Sequence, residues 1–302
     1  MEFLRILEGL RTPMGDAFFS LITHLGEETL FIVIALAVYW CVSKRQGIYL
    51  ICVGFLGTAL NQFLKLFFRV PRPWVLDENF TIVESARAEA TGYSFPSGHT
   101  QSSVGVFGCL GYIAKRRWWR AVCIALCVLV PFSRMYLGVH TPKDVLVSAA
   151  LALLMVFALP PIMDRLLQKK NGMHFLFGTL TVLSLLSLLF MLTYNYPADM
   201  DADIYQNGLN NTAKIIGCFL GVWLGWMVED KRVGFDPAAP LFVQALKLCG
   251  GFAVVLAIKI LAKAPLLALF GAAPPASAVR YFLIAFFAAG LWPISFRYMK
   301  RQ

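Results

Sequence analysis

Apolar runs long enough to cross a lipid bilayer recur along the whole chain, and they restrict its fold more than any other feature. A bilayer core takes roughly 20 apolar residues in helical form. Nine stretches answer to that length: 28–43, 47–68, 99–114, 118–137, 142–163, 174–194, 211–228, 241–262 and 279–297. The third is short, and Pro293 interrupts the last. Backbone polar groups cannot stay unpaired in hydrocarbon, so such runs cross as helices. The expected fold class is therefore all-α, a polytopic integral membrane bundle of about nine transmembrane helices. Composition agrees: 59% of the 302 residues are hydrophobic and the mean hydropathy is +0.68, above the range of ordinary soluble domains.

The opening residues MEFLRILEGLRTPMGDAFF mix charges with Leu and Phe and hold no uninterrupted apolar core, so they read as an interfacial helix rather than a cleavable signal. Phe3, Leu7, Leu10, Met14 and Phe18 fall near helical spacing. The net charge of +10 would point to nucleic acid in a soluble protein. Here the basic residues gather in alternate loops: Lys44–Arg45, Lys115 to Arg120, Arg165 to Lys170, Lys231–Arg232 and the tail with Arg297, Lys300 and Arg301. The acidic loop with Asp199, Asp201 and Asp203 falls in the opposite set. The positive-inside bias places the N-terminus outside and the C-terminus in the cytoplasm, and the setting reads as a bacterial inner membrane. No nucleic-acid partner is expected. The seven cysteines lie in or beside apolar segments and read as small buried hydrophobes, with no metal spacing.

Three polar stretches fall on the predicted outer side. KLFFRVPRP (65–73) sets Lys65, Arg69 and Arg72 at i, i+4 and i+7, one helical face if the helix persists that far, although Pro71 and Pro73 predict an end near there. SFPSGHTQSS (94–103) places Ser97, Gly98 and His99 at the start of the third span, where free N–H groups favour an anion. SRMYLGVHTPKD (133–144) brings Arg134 and His140 ahead of a helix that opens with Thr141, Pro142 and Asp144. Thr as N-cap, Pro at the first position and an acid at the third form a helix start. That start lets Asp144 reach back to the His140 ring. Cations concentrated on the side with fewer basic loops need a reason, and a phosphate-bearing substrate supplies one.

Taken together, Lys65–Arg72–Pro73, Pro96–Ser97–Gly98–His99 and Ser133–Arg134–His140–Asp144 resemble the three-part signature of the type 2 phosphatidic acid phosphatases. That superfamily includes vanadium haloperoxidases and glucose-6-phosphatase. The resemblance covers about residues 28–194 and implies a six-helix phosphatase core. The expected organisation is an N-terminal interfacial segment at 1–27, the core at 28–195 and a three-helix membrane extension at 196–302. The resemblance further implies chemistry through a phosphohistidine, with no cofactor and no metal. His140 would be the nucleophile, Asp144 its orienting group, and His99 the acid and base. Lys65, Arg72, Ser97, Gly98 and Arg134 would hold the phosphate oxygens. The expected activity is hydrolysis of a lipid phosphate or diphosphate at the outer membrane surface, with the lipid and the bilayer as partners.

Two other functions fit parts of the pattern. A phosphotransferase would use the same residues and pass the phosphate to another acceptor. A lipid or anion transporter would place its polar groups near mid-span, whereas here the charges gather at one surface. Other polar residues have ordinary readings. Arg69 either snorkels or assists the phosphate. His24, Glu27 and Glu28 read as a polar helix entry, with a substrate-gating role as the alternative, Trp74 as an interfacial aromatic or part of a lipid entrance, and Lys247 as a snorkelling residue. Gly217, Gly221 and Gly225 read as a helix-packing stripe within one chain.

Overall fold

Helix starts and stops follow local chemistry along the chain. The computed structural model describes residues 1–194, 196 and 202–299; Asp199, Asp201, Lys300 and Arg301 lie outside the described residues. The helices are α1 Glu2–Gly9, α2 Pro13–Thr23, α3 Glu28–Cys41, α4 Lys44–Phe68, α5 Pro73–Leu76, α6 Gly98–Ile113, α7 Arg117–Tyr136, α8 Pro142–Leu167, α9 Gly172–Thr193, α10 Ala202–Val228, α11 Leu241–Leu261, α12 Lys263–Phe270, α13 Ala273–Phe286 and α14 Trp292–Met299. There is no strand among the described residues.

Every predicted span is helical, but the lengths differ. Seven helical stretches among the described residues are long and apolar enough to cross a membrane, or eight if the pair Pro13–Gly26 and Glu28–Cys41, bent by 48°, counts as one. The expected nine thus includes two short members. At 1.5 Å per residue, the 14 residues of α3 and the 16 of α6 fall short of a hydrocarbon core about 30 Å thick.

Contacts divide the chain into two units: Met1–Ile34 with Tyr49–Pro161, and Ala35–Ile48 with Ile162–Gln302. In the first, α1 is more than an interfacial helix. Leu4 and Leu7 are buried in a core with Phe80, Ile82, Ala86, Ala90, Tyr136 and Val139, while Phe3, Leu10, Met14 and Phe18 stay exposed. Arg5 pairs with Asp77 at 2.5 Å, Glu8 accepts from the Thr81 N–H at 2.8 Å, and Arg11 donates to Thr81 O at 2.8 Å. These contacts hold down the irregular segment 77–92. The stretch 65–72 does not form one helical face: α4 ends at Phe68, Arg69 turns to φ +50°, and Arg72 is the N-cap of α5. Pro71 cannot continue α4, and Pro73 opens α5 at the first position, where its missing N–H costs nothing.

In the second unit, Gly217, Gly221 and Gly225 let α10 lie against α13 and the turn after it. A Cβ at these positions would stand 2.1 Å from Ala278 O, 2.5 Å from Phe282 O and 2.7 Å from Ala289 Cβ. The stripe therefore packs helices within the chain. A π-helical turn, Phe287–Leu291, joins α13 to α14 ahead of Pro293. The Pro293 nitrogen carries no hydrogen, so a carbonyl one turn earlier loses its partner. Tyr39 Oη donates to Ala289 O and Trp40 Nε1 to Ala288 O, each at 2.9 Å. Lys247 does not snorkel: it is fully buried, and its Nζ donates to Pro237 O at 3.0 Å. The segment 236–237 folds over it and supplies carbonyls. All seven cysteines are unpaired; four are buried as expected, whereas Cys41 and Cys127 are half-buried and Cys249 is exposed.

Candidate active site

The three signature stretches converge in the first unit on a cavity of about 200 Å³, with Lys65, Arg72, Gly98, His99, His140 and Glu89 on its wall. Lys65 comes from the last turn of α4. Arg72 is fixed by three backbone carbonyls, from Thr91, Gly92 and Val139, each accepting at 2.9 Å. Its Nη1 also stands 3.0 Å from His140 Nε2. A guanidinium only donates, so Nε2 bears the lone pair and Nδ1 the proton of the neutral ring.

Nδ1 faces Asp144 Oδ2 at 3.6 Å, longer than a hydrogen bond. Asp144 is held in place by its helix start. Oδ2 accepts from the Thr141 N–H at 2.8 Å and from Ser94 Oγ at 2.6 Å, and the Asp144 N–H donates to Thr141 Oγ1 at 3.3 Å. This is the reciprocal cap that the sequence predicts. Burial, then the charges of Arg72, Arg134 and Lys65, hold His140 well below the ordinary histidine range. The ring is neutral, with its lone pair toward the cations.

His99 rises from the first turn of α6. Ser97 is the N-cap of that helix, accepting from the Thr100 N–H at 3.4 Å. A Cβ at Gly98 would meet only Asn61 Oδ1, at 3.9 Å, so the backbone there is open to a ligand. Arg134 is fully buried; Nη1 donates to Thr23 Oγ1 at 2.6 Å, while Nε and Nη2 have no protein acceptor. Ser97, Arg134 and Asp144 are buried and not on the cavity wall. Arg69 is not on the wall either.

One residue of the site escapes the sequence pattern. Glu89 Oε2 lies 3.0 Å from His99 Nε2 and 4.0 Å from Arg134 Nη1. Its other oxygen stands 3.4 Å from His24 Nδ1, which in turn contacts Glu27 at 2.5 Å. The His99 hydrogen bond, above all, holds the Glu89 carboxyl below its usual value. The entry residues His24 and Glu27 thus belong to a polar chain that ends on His99. His24, Glu27 and Glu89 also place one ligand atom each within 4.8 Å of one another, a spacing that their mutual contacts account for. Trp74 lies under two guanidiniums, those of Arg72 and Arg87, at 5.9 and 5.3 Å.

Residues 46–168 match the sequence model of the PAP2 superfamily, and residues 213–302 match that of the transmembrane extension of PAP2 superfamily phosphatases. The chain is 29% identical over 165 residues to a probable sphingosine-1-phosphate phosphatase of Dictyostelium discoideum, covering 50% of this chain and 39% of that one. It is 31% identical over 115 residues to the undecaprenyl-diphosphatase BcrC of Bacillus subtilis (38% and 56%). It is 28% identical over 161 residues to phosphatidylglycerophosphatase B of Bacillus subtilis (49% and 75%). The matches thus take in about two fifths and just over half of the first two relatives' own lengths. The crystal structure of Aquifex aeolicus LpxE is similar at 26% identity and a TM-score of 0.46, covering 52% of this chain and 92% of that one.

Proposed function

The chain belongs to the PAP2 superfamily, whose members similar to it are membrane lipid phosphatases, and on that premise we propose that it hydrolyses a lipid phosphate or diphosphate through a phosphohistidine, without a metal. The observation that carries the reading is the neutral, buried His140. Its Nε2 lone pair faces Arg72 at 3.0 Å inside a cavity that Lys65 and His99 also line.

The geometry supports an in-line displacement. The phosphate enters among Lys65, Arg72 and the Gly98 backbone, and Arg134 offers the donors on Nε and Nη2, which have no protein acceptor. Such cationic, pre-set donors stabilise the transferring group. His140 Nε2 attacks phosphorus, and the bond from phosphorus to the lipid oxygen breaks. That oxygen keeps the electron pair and takes a proton from His99. Water then attacks the phosphohistidine and gives a proton to His99. The phosphorus–nitrogen bond breaks, its pair returns to Nε2, and phosphate leaves. Asp144 keeps the Nδ1 proton in place; its 3.6 Å separation closes as positive charge develops on the ring.

In this reading the site faces the outer side of a bacterial inner membrane and the C-terminus lies in the cytoplasm, an orientation that the basic-loop bias supports. Residues 28–195 form the catalytic core in this reading, and 196–302 form a membrane extension. The test is phosphate release by purified protein in detergent with a chelator present. Substrates would be sphingosine phosphate, phosphatidylglycerol phosphate, phosphatidic acid and undecaprenyl diphosphate, each beside His140→Ala. Release by the wild type alone, insensitive to the chelator, is expected. Loss of activity on chelation with recovery on Mg²⁺ would overturn the metal-free mechanism. No release from folded protein would shift the reading to a phosphotransferase.

A further inference from the structure

The cavity that holds the phosphate clamp also has polar lining residues that the chemistry above leaves unused. Thr58, Asn61, Gln62 and Lys65 stand at i, i+3, i+4 and i+7 on α4 and all line it; Gln101 and Ser102 of α6 line it too. A polar stripe on a membrane helix is costly unless it is paired or meets a cavity. The usual use of Asn and Gln in such helices is to hydrogen-bond a neighbouring helix. That use fails here. Asn61 and Gln101 are each 5% exposed, and neither amide nitrogen has a hydrogen-bond partner in the protein. Buried amides of this kind are nearly always satisfied. The backbone also makes room for one of them: a Cβ at Gly57 would stand 2.5 Å from Gln101 Nε2.

Resting on the phosphatase reading, we infer that Asn61 and Gln101 form a subsite for a hydrogen-bonding group carried by the leaving group close to the scissile phosphate. His99, the proton donor to the leaving oxygen, lines the same cavity. In a cavity of about 200 Å³ the atoms just beyond that oxygen come within reach of the amides. Glycerol hydroxyl or ester oxygens, the hydroxyl of a sphingoid base and the second phosphate of a diphosphate all supply the needed acceptors. A phosphate joined directly to a hydrocarbon chain supplies none and leaves both amides unpaired. A site built for hydrogen bonds rejects the analogue that lacks them more strongly than an apolar pocket rejects an extra group.

The test is a ratio of kcat/KM values measured on full-length protein in detergent. Hexadecyl phosphate is the reference. Against it stand hexadecyl glycerol phosphate, sphingosine phosphate and hexadecyl diphosphate, whose separate ratios identify which source of acceptors the site takes. Wild type should prefer at least one polar-headed substrate by about 10-fold or more, and the Asn61→Leu/Gln101→Leu double variant should lose about 10-fold of that ratio. Gly57→Ala, a small helix-compatible change that displaces the Gln101 amide, should lower the same ratio with the protein folded. An unchanged ratio in Gly57→Ala and in the double variant would overturn the subsite. Because hexadecyl phosphate reports the chemistry alone, its turnover by wild type with no polar preference sinks the subsite and spares the phosphatase. No turnover of any substrate sinks both.

Discussion

Glu89 Oε2 sits 3.0 Å from His99 Nε2, so the ring proposed to protonate the leaving oxygen is already engaged by a carboxylate from the segment that α1 holds in place. Glu89 acts as a positioning residue in this arrangement, since it meets the ring and not phosphorus. Glu89→Gln keeps the size and removes the charge. Lipid phosphate kcat should fall about 10-fold, with little change for p-nitrophenyl phosphate, whose leaving group needs no proton. Equal losses on both substrates, or no loss on either, would remove Glu89 from the proton path.

The same leaving-group logic tests His99 itself. His99→Ala should lower turnover of a lipid phosphate by about 10²–10⁴-fold and turnover of the aryl phosphate by clearly less. Rapid-quench detection of phosphorylated protein should then show the intermediate accumulating with the aryl substrate, because His99 is also the base for the water step. His140→Ala should show no phosphorylated protein with either substrate.

Much of this site is written in local spacing. Ser97 caps α6, and the exchange between Thr141 and Asp144 caps α8, because a cap needs only residues three apart. Glu89 was not legible in that way. It lies in an irregular segment, and its approach to His99 depends on Arg5 and Glu8 of α1 and Arg11 just after it closing on that segment. Asn61 and Gln101 sat inside runs read as apolar, and the signal was their presence in a span at all. The snorkelling expectation for Lys247 fails because only the fold brings the carbonyls of residues 236–237 to its ammonium group. The span count differed for a related reason: composition marks apolar runs, but the 14-residue length of α3 depends on where the chain bends at Glu27.

The glycine contacts of α10 predict a stability change far from the chemistry. A Cβ at Gly221 would meet Phe282 O at 2.5 Å and Ala285 Cβ at 2.8 Å, and a backbone oxygen cannot step aside. Gly221→Ala should destabilise the protein by about 1–3 kcal/mol. Gly9→Ala, where nothing lies within 4 Å, should leave stability unchanged or slightly raised. Thermal unfolding in detergent compares the two, and equal melting temperatures would mean that α10 and α13 are not in this close contact.

The environment of His140 predicts a pH dependence whose sign can be worked out. Burial first, then Arg72, Arg134 and Lys65, push its protonation to lower pH than an ordinary histidine. The nucleophile must be neutral, and it is neutral above its own pKa. The acid limb of kcat/KM that reports it should therefore lie below about pH 6.5, the unperturbed value. Stability carries the same signature. The unfolded chain takes up a proton at this residue near pH 6.5, and the folded one does not until lower pH. The stabilisation linked to this group is thus fully present above about pH 6.5 and is lost progressively as pH falls below it. Melting temperatures of wild type and His140→Asn between pH 8 and 5 should show a steeper fall for wild type below pH 6.5. A wild-type acid limb at pH 7 or above, with parallel melting curves for the two proteins, would mean that the ring is charged at rest and cannot be the attacking group.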